Sequence, residues 1–405
     1  MTGENSSIDG RELEEISRLL EDKVSLAILA HIVDRGRCTQ EYLENLDAVT
    51  KESRDLLRSL IERGIIEEND GELKITEKGR NLLKIFRKCE SLETVTGTAR
   101  DLMECDSEEK RNMTEYFALY ELMYENPLIP CKDIAEKTGM PLKNVSLYLM
   151  DMYEKSILKG PVLSVKPAEN YHQYAYFLKV TDPLTVCQAL KGEHILYRSV
   201  SCGTWNVLVI TDEYVDYSSL PQVQECIVEG VKSATYMSKV TVLDFGESVK
   251  RIRDAITPQE KTTLYEEISG NPWDEEEWRL YRTFKENVRC TIVKRLKECL
   301  ISPTKYRDWI SSADQFALMQ PAFYPGGLNN YCAVDILFCS HYHQQLRDVL
   351  GLLPSTSIFF SVNDYLFARL FFLNEREVCD IFTLIDKRKE FYTTYSFALF
   401  TVVYR

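Results

Sequence analysis

Residues 60–79 read LIERGIIEENDGELKITEKG, and this stretch sets the frame for everything around it. Ile65-Ile66-Glu67-Glu68 and Glu72-Leu73-Lys74-Ile75-Thr76 alternate as two short strands. Between them Asp70-Gly71 supplies the positive φ that a tight hairpin needs. Upstream the pattern is helical. Residues 24–34 are apolar on most faces and end at Gly36. Thr39 caps a second helix that runs to Leu46 and turns Tyr42, Leu43 and Leu46 inward. Thr50 caps a third, running to about Arg63, with Leu56, Leu57, Leu60 and Ile61 as its buried stripe and Gly64 as its stop.

Three helices followed by a hairpin make a winged helix, and residues 60–79 resemble prokaryotic, archaeal-style winged-helix regulators. The resemblance implies that the third helix enters a DNA major groove. Lys51, Ser53, Arg54 and Arg58 then reach bases or phosphates, and Lys74, Arg80 and Lys84 are phosphate contacts. The competing reading is a solvated face of a protein-binding module, since Glu52 and Asp55 dilute the positive charge. Residues 24–88 carry 12 Lys/Arg against 12 Asp/Glu, so this head is neutral in a chain of net charge −14. That balance excludes non-specific coating of nucleic acid and leaves room for one local DNA-facing surface.

The remaining three hundred residues read as a duplication. Asn126-Pro127, Lys143-Asn144-Val145 and Ile157-Leu158 recur as Asn271-Pro272, Glu286-Asn287-Val288 and Leu300-Ile301. In the first copy, helices are expected over residues 113–126, near Ile129-Pro130 and over 141–153, with Pro141 opening the last. Strands are expected over 173–181, 195–201, 204–211 and 236–245, with helices over 182–190 and 220–233. In the second copy, helices are expected over 258–268, 273–284 and 285–300. Strands at 331–339, 357–362, 365–372 and 393–403 then alternate with helices at 341–350 and 375–387. Residues 321–327, Pro-Ala-Phe-Tyr-Pro-Gly-Gly, read as an insertion loop able to grip a ligand or partner.

This pairing of a tri-helix with a βαββαβ unit resembles the Lrp/AsnC regulators, whose helix-turn-helix precedes a ferredoxin-like effector domain. The resemblance places Lys143, Asn144, Ser146 and Tyr148 toward a groove, although a tri-helix used only for packing fits equally well. It sharpens at Cys202-Gly203-Thr204-Trp205-Asn206-Val207-Leu208. The family carries a Gly-x-aromatic-Asp turn there, near its small-molecule site, so Gly203, Trp205 and Asn206 become the effector-binding candidates. Asn206 stands where the family has the acid, which puts an amino-acid effector in doubt. Gly203 as a plain turn glycine and Trp205 as core is the bland alternative.

The expected fold is therefore α+β: an N-terminal winged helix, then two tandem units of tri-helical helix-turn-helix plus ferredoxin-like domain. The expected boundaries are 1–90 for the winged helix, 91–112 for an acidic helical linker and 113–165 for the first helix-turn-helix. The first ferredoxin-like domain takes 166–250, degenerate helices 251–315 and the second ferredoxin-like domain 316–405. The resemblance implies sheet-on-sheet packing of the two lobes within the chain. It also implies a homodimer of such chains on double-stranded DNA.

Composition is ordinary for a globular protein, at 44% hydrophobic and 28% charged. No apolar run would span a bilayer and residues 1–11 are polar, so a cytoplasmic location is expected. Twelve cysteines are scattered without a CxxC, which reads as buried thiols in a reducing compartment, with a redox sensor at Cys202 as the alternative. Cys339, His341 and His343 alternate, but a helix starting near His341 spoils a metal site, so neither metal nor cofactor is expected. No phosphate-cradling glycine loop or hydrolase motif is present. One enzyme reading competes with the regulator. Siroheme decarboxylases are similar in pairing a helix-turn-helix with a ferredoxin-like domain, and His194, Tyr197 and Arg198 would then grip substrate carboxylates.

Overall fold

The computed structural model describes strands 38–39, 66–69 and 72–75, and residues 107–404 apart from 193, 221, 256–259 and 291. In the N-terminal part, β1 (Cys38–Thr39), β2 (Ile66–Asn69) and β3 (Glu72–Ile75) form an antiparallel sheet in the order β1-β3-β2. Asn69 pairs with Glu72, so the two strands are in hairpin register, while the expected Asp70-Gly71 turn lies outside the described residues. The expected helices of this head lie outside the described residues.

The first helical unit comprises α1 (Ser107–Glu125), α2 (Cys131–Thr138) and α3 (Leu142–Glu154). Pro130 and Pro141 stand at the starts of α2 and α3, and Gly139 closes α2 at φ +70°. Tyr120, Met123, Ile134, Val145 and Met152 form its core. Strand β4 (Leu158–Val165) follows.

Then come β5 (Gln173–Val180), α4 (Pro183–Ala189), β6 (Ile195–Gly203), β7 (Val207–Thr211), β8 (Val223–Lys232), β9 (Tyr236–Met237) and α5 (Phe245–Asp254). The second helical unit is α6 (Glu275–Phe284), α7 (Ile292–Cys299) and α8 (Pro303–Phe316). Asp274 and Glu277 close a capping box on α6, and Ser302 caps α8 with Pro303 in its first turn. The chain continues through β10 (Ala317–Phe323), β11 (Cys332–Cys339), α9 (His343–Leu350), β12 (Ile358–Val362), β13 (Tyr365–Phe372), α10 (Glu375–Asp386) and β14 (Thr394–Tyr404).

β4 and β10 pair antiparallel from Leu158↔Phe323 to Val165↔Ala317. Each strand crosses into the other helical unit. Phe323 stacks on Tyr120 at 4.7 Å inside the first unit, while Leu163 and Val165 enter the core of the second. The two helical units therefore keep separate cores, tied together by a strand pair that contributes side chains to both.

The first lobe orders its strands β6-β7-β5-β8 and the second β12-β13-β11-β14. β14 pairs with β6, and β8 meets β12 at Lys232↔Val362. The β12–β13 pairing closes the circuit, so eight strands form a barrel and β9 is appended to β12. The lobes thus join edge to edge around one lumen instead of stacking as a sandwich, which leaves neither lobe an open edge.

Several expectations are corrected. Residues 220–233 form not a helix but β8, after a short 3₁₀ turn at Tyr217–Ser219. Ile227, Val228 and Val231 are β-branched and Gly230 weakens a helix, so strand pairing wins. The first lobe therefore lacks its second helix, and the strand expected over 236–245 shrinks to β9. Residues 260–268 form no helix and carry isolated bridges at Thr262 and Ile268. The helix expected over 285–300 is broken until Ile292, and α8 supplies the third helix of that unit. Residues 321–323 finish β10 and are not an insertion loop.

The repeat itself has a different register. Asn126 accepts from Leu128 N, and Asn287 accepts from Arg289 N, each between the first and second helices of its unit. Asn287, not Asn271, is the counterpart of Asn126. Among the described residues no helix is long and apolar enough to cross a membrane.

Candidate functional site

Alternate residues of the barrel strands face the lumen. Phe177, Trp205, Leu337, Phe360, Phe367 and Ala398 belong to one apolar cluster there. Within the same pleat register stand polar side chains, among them Gln173, Tyr197, Ser199, Lys232, Asp335 and Arg369. In a lumen filled with aromatics each charge must be answered locally.

Arg369 is answered fully. It lies opposite Asp335 in the β11–β13 register and meets it two-pronged, Nε to Oδ1 at 2.6 Å and a terminal nitrogen to Oδ2 at 2.8 Å. Its other terminal nitrogen donates to Tyr197 Oη at 2.7 Å, across the lumen from β6 of the other lobe. Burial works against the guanidinium charge, and the Asp335 carboxylate more than offsets it.

Lys232 is answered poorly. Its Nζ donates to Ser233 O at 2.8 Å and faces Gln173 Oε1 at 3.4 Å, and it lies 4.9 Å from the Phe360 ring centroid. No carboxylate of the described residues pairs with it. Burial pushes its ammonium down to about 7. Such an amine is poised between neutral and charged near physiological pH, and it can act as a proton acceptor or as a sensor of an entering anion.

The effector-turn residues sit at the β6–β14 seam and beside it. A Cβ on Gly203 would lie 2.3 Å from Phe397 O. Trp205 is fully buried in the lumen, edge-on to Phe177 at 5.2 Å. Asn206 is buried, accepting from Val180 N and donating to Val180 O, both at 2.8 Å. His194, Tyr197 and Arg198 do not converge. His194 lies near Asp212 and Glu213, Tyr197 enters the lumen, and Arg198 donates to the Cys187 and Leu190 carbonyls at the end of α4.

On α3, Lys143, Asn144 and Ser146 are exposed, while Tyr148 packs edge-on to Tyr116. The same surface bears exposed Leu142, Leu147 and Met150. Lys74 lies on β3 opposite Glu67. Lys51, Ser53, Arg54, Arg58, Arg80 and Lys84 lie outside the described residues. Cys339, His341 and His343 do not gather, and no cluster of three metal-ligating side chains occurs among the described residues. Trp309 is fully buried and Trp278 packs against Tyr171 at 4.5 Å, so both are packing residues.

Sequence reasoning passed over Asp335, Arg369 and Lys232. The first two carried a signal, since each is the one charge within an apolar strand, CAVDILFC and YLFARLFF. Lys232 was hidden because its segment read as a helix.

Residues 22–94 match a family model described as winged helix-turn-helix. No curated protein matches the chain. Among solved structures, the chain is similar to one titled "Crystal structure of the siroheme decarboxylase NirDL", at 12% identity and a TM-score of 0.42. That similarity covers 70% of this chain and 90% of that one. The chain thus carries an N-terminal winged helix-turn-helix, a domain that suggests a DNA partner.

Proposed function

We propose that this protein is a DNA-binding transcription regulator. The winged helix-turn-helix at residues 22–94 is the observation that carries the reading. Its third helix, with Lys51, Ser53, Arg54 and Arg58, enters the major groove, and Lys74, Arg80 and Lys84 hold phosphates. The two later helical units act as a frame. The exposed Leu142, Leu147 and Met150 on α3 favour a packing role for that helix over groove reading. The barrel lobes, in the manner of paired Lrp/AsnC effector domains, respond to a small molecule near the Gly203–Asn206 seam or hold the assembly together. Each chain has one head, so a two-fold operator calls for a homodimer.

The test is a mobility shift on fragments selected from genomic DNA by the full chain. Binding is expected to weaken steeply with salt and to be lost in the Arg54→Ala/Arg58→Ala variant. Equal binding by that variant, or release of carbon dioxide from siroheme by the purified chain, would replace this reading.

A further inference from the structure

The second helical unit carries a groove of ≈ 680 Å³ between α7 and α8, formed by eight apolar residues and two charged ones, Lys297 and Arg307. Neither cation forms an ion pair among the described residues, and no acid lines the groove. The volume is typical of small-molecule sites.

The corresponding face of the first helical unit is charged and exposed among the described residues. Aligned on Asn126 and Asn287, Lys132 and Glu136 of α2 occupy the places of Val293 and Lys297. They form an exposed i,i+4 ion pair at 3.7 Å. In α7 the pair is gone: valine, 68% exposed, replaces the lysine, and lysine replaces the acid. Gly139, at φ +70° after α2, has Leu300 as its counterpart. Leu300 keeps the left-handed conformation at φ +57° yet is 85% exposed. A leucine is strained there and gains no burial among the described residues, so neither local conformation nor the described core accounts for it.

We infer that this groove binds a small amphiphile with an apolar body and a carboxylate head, the body lying on Val293 and Leu300 and the head between Lys297 and Arg307. The two unanswered cations select an anion, and the apolar floor rejects a bare phosphate backbone. α7 is eight residues long, about 12 Å, which is short for a helix-docking seam. The site does not depend on the DNA-binding reading, because occupancy is measured without DNA.

Calorimetric titration of the full chain with decanoate, decanol and decylamine tests it. Decanoate is expected to bind at least tenfold more tightly than either congener, and the Lys297→Gln/Arg307→Gln variant to lose at least tenfold for decanoate alone. Leu300→Gly is expected to raise the melting temperature, by relieving the backbone, while weakening decanoate several-fold. A structural leucine would not produce that opposition. Absence of decanoate binding, equal binding of decylamine, or unchanged affinity in either variant would overturn the assignment.

Discussion

Gly203 and Ala398 stand against each other where the two lobes join, so closely that a Cβ on the glycine would fall 2.6 Å from the Ala398 Cα. The opposite seam solves the same crowding in mirror fashion. There the turn residue is Asn363, at φ +51°, and the glycine sits on the facing strand as Gly230. A Cβ on Gly230 would meet the Asn363 side chain at 2.5 Å, and Asn363 Nδ2 donates to Glu229 O at 2.9 Å.

Gly203→Ala should therefore destabilise the barrel by about 1–3 kcal/mol, because its neighbours are backbone and cannot step aside. Gly192→Ala, with nothing within 4 Å, should be neutral. Denaturant melts of the two variants check this, and equal stability would show that the seam is not tight.

Breaking the lumen ion pair should cost more than deleting it. Arg369→Met removes the guanidinium that answers the buried Asp335 charge, at an expected loss of roughly 3–5 kcal/mol. Asp335→Leu combined with Arg369→Met should recover most of that loss. A double variant no better than the single one would mean that Tyr197 and packing, not charge, hold the site.

Lys232 makes stability depend on pH. An unfolded lysine titrates near 10.5, whereas burial holds the folded one at about 7. Between those values the unfolded chain keeps a proton that the folded chain has released, so stability rises with pH. Below about 7 both states are protonated and the burial cost is at its largest. Lys232→Met should accordingly be more stable than the parent at pH 7, by about 2 kcal/mol or more, with the gap closing toward pH 10. A constant gap across that range would contradict the assignment.

Asn206 makes a paired contact that an acid at the same position could not make. Its amide both donates to and accepts from Val180, and a carboxylate can only accept. Asn206→Asp should lose about 1–3 kcal/mol, and the loss should grow as pH rises above the carboxylate range, where the charged form faces the Val180 carbonyl. Melting temperatures at pH 4 and pH 8 give the comparison.

The sequence carried its local signals well and its long-range ones poorly. The two wing strands, and the second lobe's alternating strands and two helices, emerged within a few residues of their observed bounds. The repeat register went astray for a specific reason. Asn126, Asn271 and Asn287 all make the same turn, accepting from the backbone N–H two residues on, so local sequence alone does not distinguish the true counterpart of Asn126. Strand β8 was misread because Glu225, Cys226 and Glu229 mimic helical spacing, while the pairing that makes it a strand comes from β5, some fifty residues away. Barrel closure depends on edges meeting across even longer stretches of chain, which no window of sequence displays.

Joining both lobes in one polypeptide has a genetic consequence. In a symmetric homodimer every substitution at the two-fold contact arrives twice, and each must suit itself. Here the seams are separate addresses, free to differ, and they do: the glycine ends β6 at one and lies within β8 at the other. Likewise α7 borders a groove where α2 carries an exposed ion pair, so one half can be specialised without the other.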